Sequence, residues 1–593
     1  MIRRPLRPLA RILQARARGE NPDAIERENL RLRHEVSRDA DRERAESRLF
    51  VLGLCFALAF AGVGLRMGVL ASTKPSEPRV AQGGAGIVAT RAEIQDRRGR
   101  ILATNLETAA LYVHPHELVD PARAARELAK LFPDLDEARM LADFTGPRKF
   151  LWLRKVMSPE QQQAVHDIGE PGLLFATREM RLYPNGALAA HVLGGAAFDR
   201  EDVRAAEIIG TAGVERSFDA RLRDPGRAND PLQLSLDLTA QTAMEDVLAS
   251  GMTLMNAKGA AGVLMDVHTG EVIAIASLPD FDPNARPAPP TKGDPTASPI
   301  FNRSVQGVYE LGSTFKIFTV AQAMDLGLVN PETMIDTKGP MVKGRHKITD
   351  FRNYGPELSV DKVIVKSSNI GTARIALMIG AERQKAFLDL MGLTEATNIE
   401  ISEARSGKPL LPPRWSDIVT MTVSYGHGFS TTPLHLAAGY AMIANGGTRV
   451  EPTLLRRDTP QYGPRVVSAK TAAQSLAMLR HVVTEGTAKV AEVPGYQVAG
   501  KTGTADKPKP GGGYYKEKVI ATFASVFPAD APRYVLVVTL DEPVNTMGRE
   551  PTRTAGSTAA PVAAELIRRI APLLDLKPRI DPVQLDGITL TSN

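Results

Sequence analysis

Leu49 to Leu65 is a run of seventeen apolar residues, and after Arg66 it resumes through Ala71. Inside a bilayer the backbone finds no water to bond with, so a lone segment of this kind is confined to a helix. The run is long enough to span the hydrocarbon core if Arg66 snorkels to the far interface. Residues 1–48 carry thirteen arginines against nine acids, a net of +4 out of +6 for the whole chain. That bias predicts a cytoplasmic tail (1–48), a transmembrane anchor (49–71) in the cytoplasmic (inner) membrane, and everything that follows on the outer, periplasmic side. A cleaved signal peptide has a much shorter charged segment. Leu54, ahead of the single cysteine Cys55, argues against lipid attachment there. Ala24 to Ser47 fits either a charged helix or a solvated tail.

The rest of the chain is nearly neutral, so no nucleic-acid surface is expected beyond the tail. One cysteine excludes an intramolecular disulfide. The 593 residues are enough for two or more domains with full cores.

Three short motifs carry the chemistry. The first is Ser313-Thr314-Phe315-Lys316, a Ser-x-x-Lys leading into an apolar, helix-forming run. If Ser313 opens a helix, Lys316 lies one turn on and on the same face. A neutral amine there could take the hydroxyl's proton, and free N–H groups at the helix start suit a developing oxyanion. Alone, the motif reads first as an N-cap serine with a solvated lysine. Ser367-Ser368-Asn369 and Lys501-Thr502-Gly503-Thr504 follow in that order. The order Ser-x-x-Lys, Ser-x-Asn, Lys-Thr-Gly is that of penicillin-recognising serine acyl enzymes.

Further stretches extend the likeness. Arg91 to Ala103 contains Asp96-Arg97-Arg98-Gly99 and reads as strand, turn, strand. Arg181-Leu182-Tyr183-Pro184, His191 to Gly194 and Gly213 to Asp219 complete a pattern that resembles the class B penicillin-binding proteins over roughly residues 45–575. Ala92 and Leu311 stand where that family usually has glycine and proline. The resemblance implies a mixed α/β (α+β) fold: an elongated non-catalytic pedestal of the dimerisation type over 72–235, a transpeptidase domain over 236–575 with an antiparallel sheet flanked by helices, and a tail over 576–593. It also implies cross-linking of peptidoglycan stem peptides ending in D-Ala-D-Ala through a serine acyl-enzyme that β-lactams also form. In that scheme Ser313 is acylated, and Lys316 is its base. Ser367 relays a proton to the leaving amine, while Asn369 holds the substrate amide and Lys316. Lys501, Thr502 and Thr504 take the terminal carboxylate, and Gly503 permits close approach. The N–H groups of Ser313 and Thr504 form the oxyanion hole. Asp96, Arg97 and Glu215 read as buried ion pairs.

No cofactor and no metal are expected. His114-x-His116 lacks a third ligand nearby, and His427 reads as a wall or turn residue. Tyr425-Gly426-His427-Gly428 with Thr432-Pro433-Leu434 looks like the division-specific (septal) branch, which implies a polytopic glycan polymerase and other division proteins as partners. An elongation-specific transpeptidase, a membrane-bound β-lactam sensor, a β-lactamase-like enzyme and a scaffold with a decayed site are the alternatives. A sensor usually has several membrane helices, and a lactamase is usually shorter.

Several elements are expected from the pattern: a strand over 232–236, a helix over 239–255, a hairpin over 260–277, and a Pro-rich loop over 279–300. A helix over 361–380 holds Ser367 and Asn369, and helices over 416–426 and 432–445 follow. A strand over 498–505, a loop over 506–513, strands over 519–527 and 534–540, and a helix over 560–574 complete the chain.

Overall fold

A computed structural model describes residues 7–72, 91–201, 206–509 and 511–579. Residues 73–90, at the start of the expected pedestal, and all of the tail expected over 576–593 except 576–579 fall outside the described residues.

The first of two compact units holds two helices, Arg7–Ala17 and Pro22–Ser72. Proline at the first helical position loses no bond, because that N–H is unpaired in any helix. The second helix is 51 residues long and runs without a break from the charged segment into the apolar one. Of the two readings of Ala24 to Ser47, the backbone therefore takes the helix. Its stretch Arg48–Met67, of mean hydropathy 2.1, is the one helix among the described residues long and apolar enough to cross a membrane.

The second unit begins with a sheet built on the long strand Ile101–Val113, antiparallel to Leu151–Met157 and Leu173–Leu182. Its inner face closes over Leu111, Val113, Leu128, Phe132 and Phe144. The turn at Arg98-Gly99 is fixed by Asp96. Its carboxylate accepts from the N–H groups of Arg98 and Arg100 (both 2.8 Å), from the Arg100 guanidinium, and from Leu238 N (3.1 Å). Leu238 opens the helix Leu238–Leu254, capped by Asp237, so the turn is tied directly to the first helix of the next region. Glu215 is wholly buried. It accepts from Arg91 (2.7 Å) and Arg181 (2.6 Å), both nearly wholly buried as well, and from the Tyr183 hydroxyl (3.3 Å). Arg97 meets Glu271 at 3.3 Å. These charges hold elements together, as the sequence reading has it.

The following region is organised on a five-stranded antiparallel sheet. Its order is Ala499–Pro508, Tyr514–Phe527, Tyr534–Asp541, Gly259–Asp266, Val272–Leu278. Every residue of the last three strands is buried, so both faces are covered and the usual polar alternation disappears. The helices Leu238–Leu254, Pro433–Ala444, Ala469–Thr484 and Ala559–Leu573 supply much of the cover.

Several expectations are corrected. The helix over 361–380 is two helices, Val360–Lys366 and Asn369–Ile379, broken at Ser367-Ser368. The Lys-Thr-Gly strand runs on to Pro508 and its partner starts at Tyr514, which shortens the expected loop. Lys507 pairs there with Asp541 (2.7 Å) and Glu542 (2.9 Å) on the next strand's end. The expected strand over 232–236 keeps only Leu232–Gln233 in the sheet, because Leu234 bridges to Leu455.

Glu215→Gln leaves the buried Arg181 guanidinium without a counter-charge and leaves Arg91 with Asp219 (2.7 Å) alone. Breaking a buried pair in this way costs about 3–5 kcal/mol, so urea unfolding of this sheet region should move to clearly lower denaturant. An unchanged midpoint would show that the pair is not needed to hold the region.

Candidate active site

The site forms where one turn, one helix break and one edge strand meet. Gly312–Phe315 is a 3₁₀ turn and the α-helix starts only at Lys316, so Ser313 precedes the helix that the sequence has it open. The consequence for Lys316 is small, because residues three apart eclipse on a 3₁₀ turn. Gly312 takes φ +57°, a conformation cheap only for glycine. The turn is pinned from behind. The Tyr440 hydroxyl donates to Thr314 O (2.9 Å), and the Phe315 ring packs edge-on against Phe318 and Phe429 at 5.5 and 5.4 Å.

From the front it meets the edge strand Ala499–Pro508. A Cβ added at Gly503 would fall 2.2 Å from Leu311 O, and one at Gly312 would fall 3.3 Å from Thr504 N. Only glycine at 503 lets the strand backbone reach the turn.

Ser367 sits in the break between the two helices with φ +63°, the left-handed region that costs a non-glycine residue about 1–2 kcal/mol. The break is enforced by Asp350. Its carboxylate accepts from Ser368 Oγ (2.6 Å), Asn369 N (2.6 Å) and Ile370 N (3.0 Å), satisfying the start of the second helix. Ser368 also caps that helix by accepting from Gly371 N at 2.9 Å. The Asn369 amide donates to Thr349 O at 3.0 Å.

Lys316 and Lys501 are both fully buried, with no exposed surface. The Lys316 amine donates to Asn369 Oδ1 (2.7 Å), to Ser367 Oγ (3.0 Å) and to Ser367 O. Lys501 donates to the same Ser367 Oγ (2.9 Å) and to Thr502 O (3.1 Å). One hydroxyl thus bridges two amines. Burial, then the Lys501 charge, hold the Lys316 amine well below its ordinary range, against a weaker pull from Asp350. Burial brings Lys501 down to about 7.

Of the expected residues, Lys316, Ser367, Asn369 and Lys501 form one hydrogen-bonded network. Ser313 lies one turn from Lys316, half-buried, and its hydroxyl makes no hydrogen bond among the described residues. The expected contact from Lys316 is directed to Ser367 and Asn369 instead. Thr502 Oγ1 pairs with Thr487 Oγ1 (2.8 Å), and Thr504 Oγ1 accepts from Ala555 N (2.9 Å).

Three residues escaped the sequence reading: Asp350, Thr487 and Glu310. Glu310 accepts from Gly428 N (2.9 Å) and from the Tyr514 hydroxyl (2.8 Å), and faces His427 Nδ1 at 3.0 Å. The hydrogen bond to Glu310 raises the pKa of His427, whose ring lies against Tyr514 at 4.7 Å. The position of Glu310 just ahead of the serine was the one available signal. His114 meets Glu117 (3.2 Å) and Phe150 (6.0 Å), and among the described residues no three His, Cys, Asp or Glu gather as a metal site would need.

Comparison with known proteins decides the family. Residues 260–568 match the penicillin binding protein transpeptidase domain, and residues 86–227 match the penicillin-binding protein dimerisation domain. The chain is 34% identical to the probable peptidoglycan D,D-transpeptidase FtsI of Caulobacter vibrioides, over 94% of each chain. The chain belongs to the FtsI-type class B penicillin-binding proteins. A second relative, the peptidoglycan D,D-transpeptidase FtsI of Escherichia coli K12, is 30% identical over 82% of this chain and 84% of its own. Among solved structures, penicillin binding protein 3 of Mycobacterium tuberculosis complexed with aztreonam superposes with a TM-score of 0.62. It is 26% identical and covers 83% of this chain and 97% of its own. The apolar helix fits a single-pass membrane protein of this family.

In such a protein the two lysines give a pH test. Removing the Lys501 charge favours the protonated form of Lys316, so its pKa rises. The rate of penicillin acylation should climb with pH to a plateau reached well below the ordinary lysine value of 10.5. In Lys501→Gln the midpoint of that climb should move to higher pH. A midpoint that stays put or falls would show that the Lys501 charge does not lower the pKa of Lys316.

Proposed function

We propose that the chain is a septal peptidoglycan D,D-transpeptidase and that Ser313 is its nucleophile. The carrying observation is the buried Lys316–Ser367–Lys501 bridge beside a half-buried serine whose hydroxyl has no hydrogen-bond partner among the described residues. An ammonium has three N–H groups for the three acceptors around Lys316; the neutral amine keeps two and turns a lone pair free. The depressed pKa makes that neutral form available, and its lone pair takes the Ser313 proton as Oγ attacks the carbonyl carbon of the penultimate D-Ala. The N–H groups of Ser313 and Thr504 hold the oxyanion. The C–N bond then breaks, and the proton passes through the Ser367 hydroxyl to the departing D-Ala nitrogen. An acceptor amine from a neighbouring stem attacks the ester, gives up its proton by the same route in reverse, and frees Ser313.

Lys501, Thr502 and Thr504 bind the donor's terminal carboxylate; Thr487 and Ala555 N keep the two threonine side chains in position until it arrives. A β-lactam follows the first half of this path, leaving an ester on Ser313.

The reading divides the chain into a cytoplasmic tail (1–48), an anchor (49–71), a pedestal (72–235), a transpeptidase domain (236–575) and a tail (576–593). The arginine excess ahead of the anchor supports a cytoplasmic N-terminus and a periplasmic catalytic domain. A polytopic glycan polymerase and other division proteins are the partners this arrangement suits.

Ser313→Ala should abolish labelling by fluorescent penicillin, read by intact mass and peptide mapping, while leaving the fold intact. Labelling that persists would place the nucleophile elsewhere. Depletion in cells should block septation and give filaments; rounded cells that still divide would assign the protein to the lateral wall instead.

A further inference from the structure

Beside the Ser-x-Asn motif lies a cleft of about 470 Å³ that the mechanism above leaves unused. It opens among two small hairpins, Met334–Asp336 with Glu357–Ser359 and Met341–Lys343 with His346–Ile348. Its floor is Ile370, next to Asn369, and a Cβ at Gly339 would fall 2.9 Å from the Ile370 side chain. The second hairpin is seated firmly: Ile348 joins a buried cluster with Ile370, Ala373 and Met421, and Lys343 pairs with Asp417 at 3.0 Å.

The charge on the lining is one-sided. Lys338, Lys347 and Arg352 line it, and none of them has an ion-pair partner among the described residues. The acid on the lining is Asp350, whose carboxylate is already committed to Ser368, Asn369 and Ile370. Three unpaired cations around a concave surface, with the nearest carboxylate spoken for, make a place for an anion. The cleft is wired to the catalytic network, since the Asn369 amide donates to its wall at Thr349 O and accepts from Lys316 on its other side.

Resting on the transpeptidase reading, we propose that this cleft binds a second carboxylate of the stem peptide, one carried on an internal residue, while the terminal carboxylate lies at Lys501. The reacting amide then spans the gap past Asn369. A peptide ligand is favoured over a lipid diphosphate because the cleft adjoins the groups that would hold the peptide's amide.

The test uses the full-length protein in detergent micelles and fluorescent penicillin, with two synthetic peptides ending in D-Ala-D-Ala as competitors. One carries free internal carboxylates and the other has them as carboxamides. The free-acid peptide should slow labelling at about tenfold lower concentration, a preference that added salt reduces. In Lys338→Gln/Lys347→Gln/Arg352→Gln the preference should vanish. If the triple variant does not fold, Lys347→Gln and Arg352→Gln singly should each lose about two- to threefold of it. Equal competition by the two peptides in the wild type, or a preference that survives the substitutions, overturns the proposal. So does binding of inorganic diphosphate that the substitutions abolish while the two peptides compete equally. Failure of wild-type protein to label at Ser313 sinks the acyl-enzyme reading itself, a distinct outcome.

Discussion

Two lysines with no exposed surface share one serine hydroxyl, and the surrounding structure has to make that arrangement tolerable. Burying one ammonium is costly, and burying two within reach of the same oxygen cannot be done with both fully charged. The site therefore holds a deficit of protons, which is the state a general base needs. Each supporting feature serves this: the Asn369 amide and the Ser367 carbonyl accept from Lys316, the Thr502 carbonyl accepts from Lys501, and Asp350 lies near enough to temper the repulsion.

The position of the shared hydroxyl depends in turn on backbone that is strained if taken alone. Ser367 adopts a left-handed conformation because Asp350 starts a new helix immediately after it. Asp350 belongs to the hairpin segment upstream, so the small hairpins between the first two motifs help to build the site even though they contribute no motif residue. The edge strand completes it by close backbone approach at Gly503, which fixes the turn bearing Ser313 against Thr504.

The parts of this fold that were legible in the sequence are those with local causes. The seventeen-residue apolar run, the hairpin at His268-Thr269-Gly270, the helix after Thr432-Pro433 and the three motifs all signal themselves within a few residues. The failures share a different origin. The break at Ser367-Ser368 lies in a stretch whose composition is helical throughout, and the group that enforces it comes from nineteen residues away. The helix starts at Lys316 rather than Ser313 on a turn that meets the Gly503 strand, a contact brought from a distant part of the chain that no neighbouring residue announces. Glu310 collects partners from Gly428 and Tyr514, more than a hundred residues downstream, so its role could not be read from its own surroundings.

The unbroken helix from Pro22 to Ser72 has a mechanical consequence. At 1.5 Å per residue it is a rod of about 75 Å, more than twice the thickness of a hydrocarbon core. The charged and apolar segments share one axis, with no proline or loop between them to act as a joint. A change in tilt of the apolar segment must therefore swing the arginine-rich end through an arc, and a pull on that end must turn the apolar segment in return. The anchor behaves as a lever, and whatever grips its charged arm gains leverage over the part that lies in the membrane.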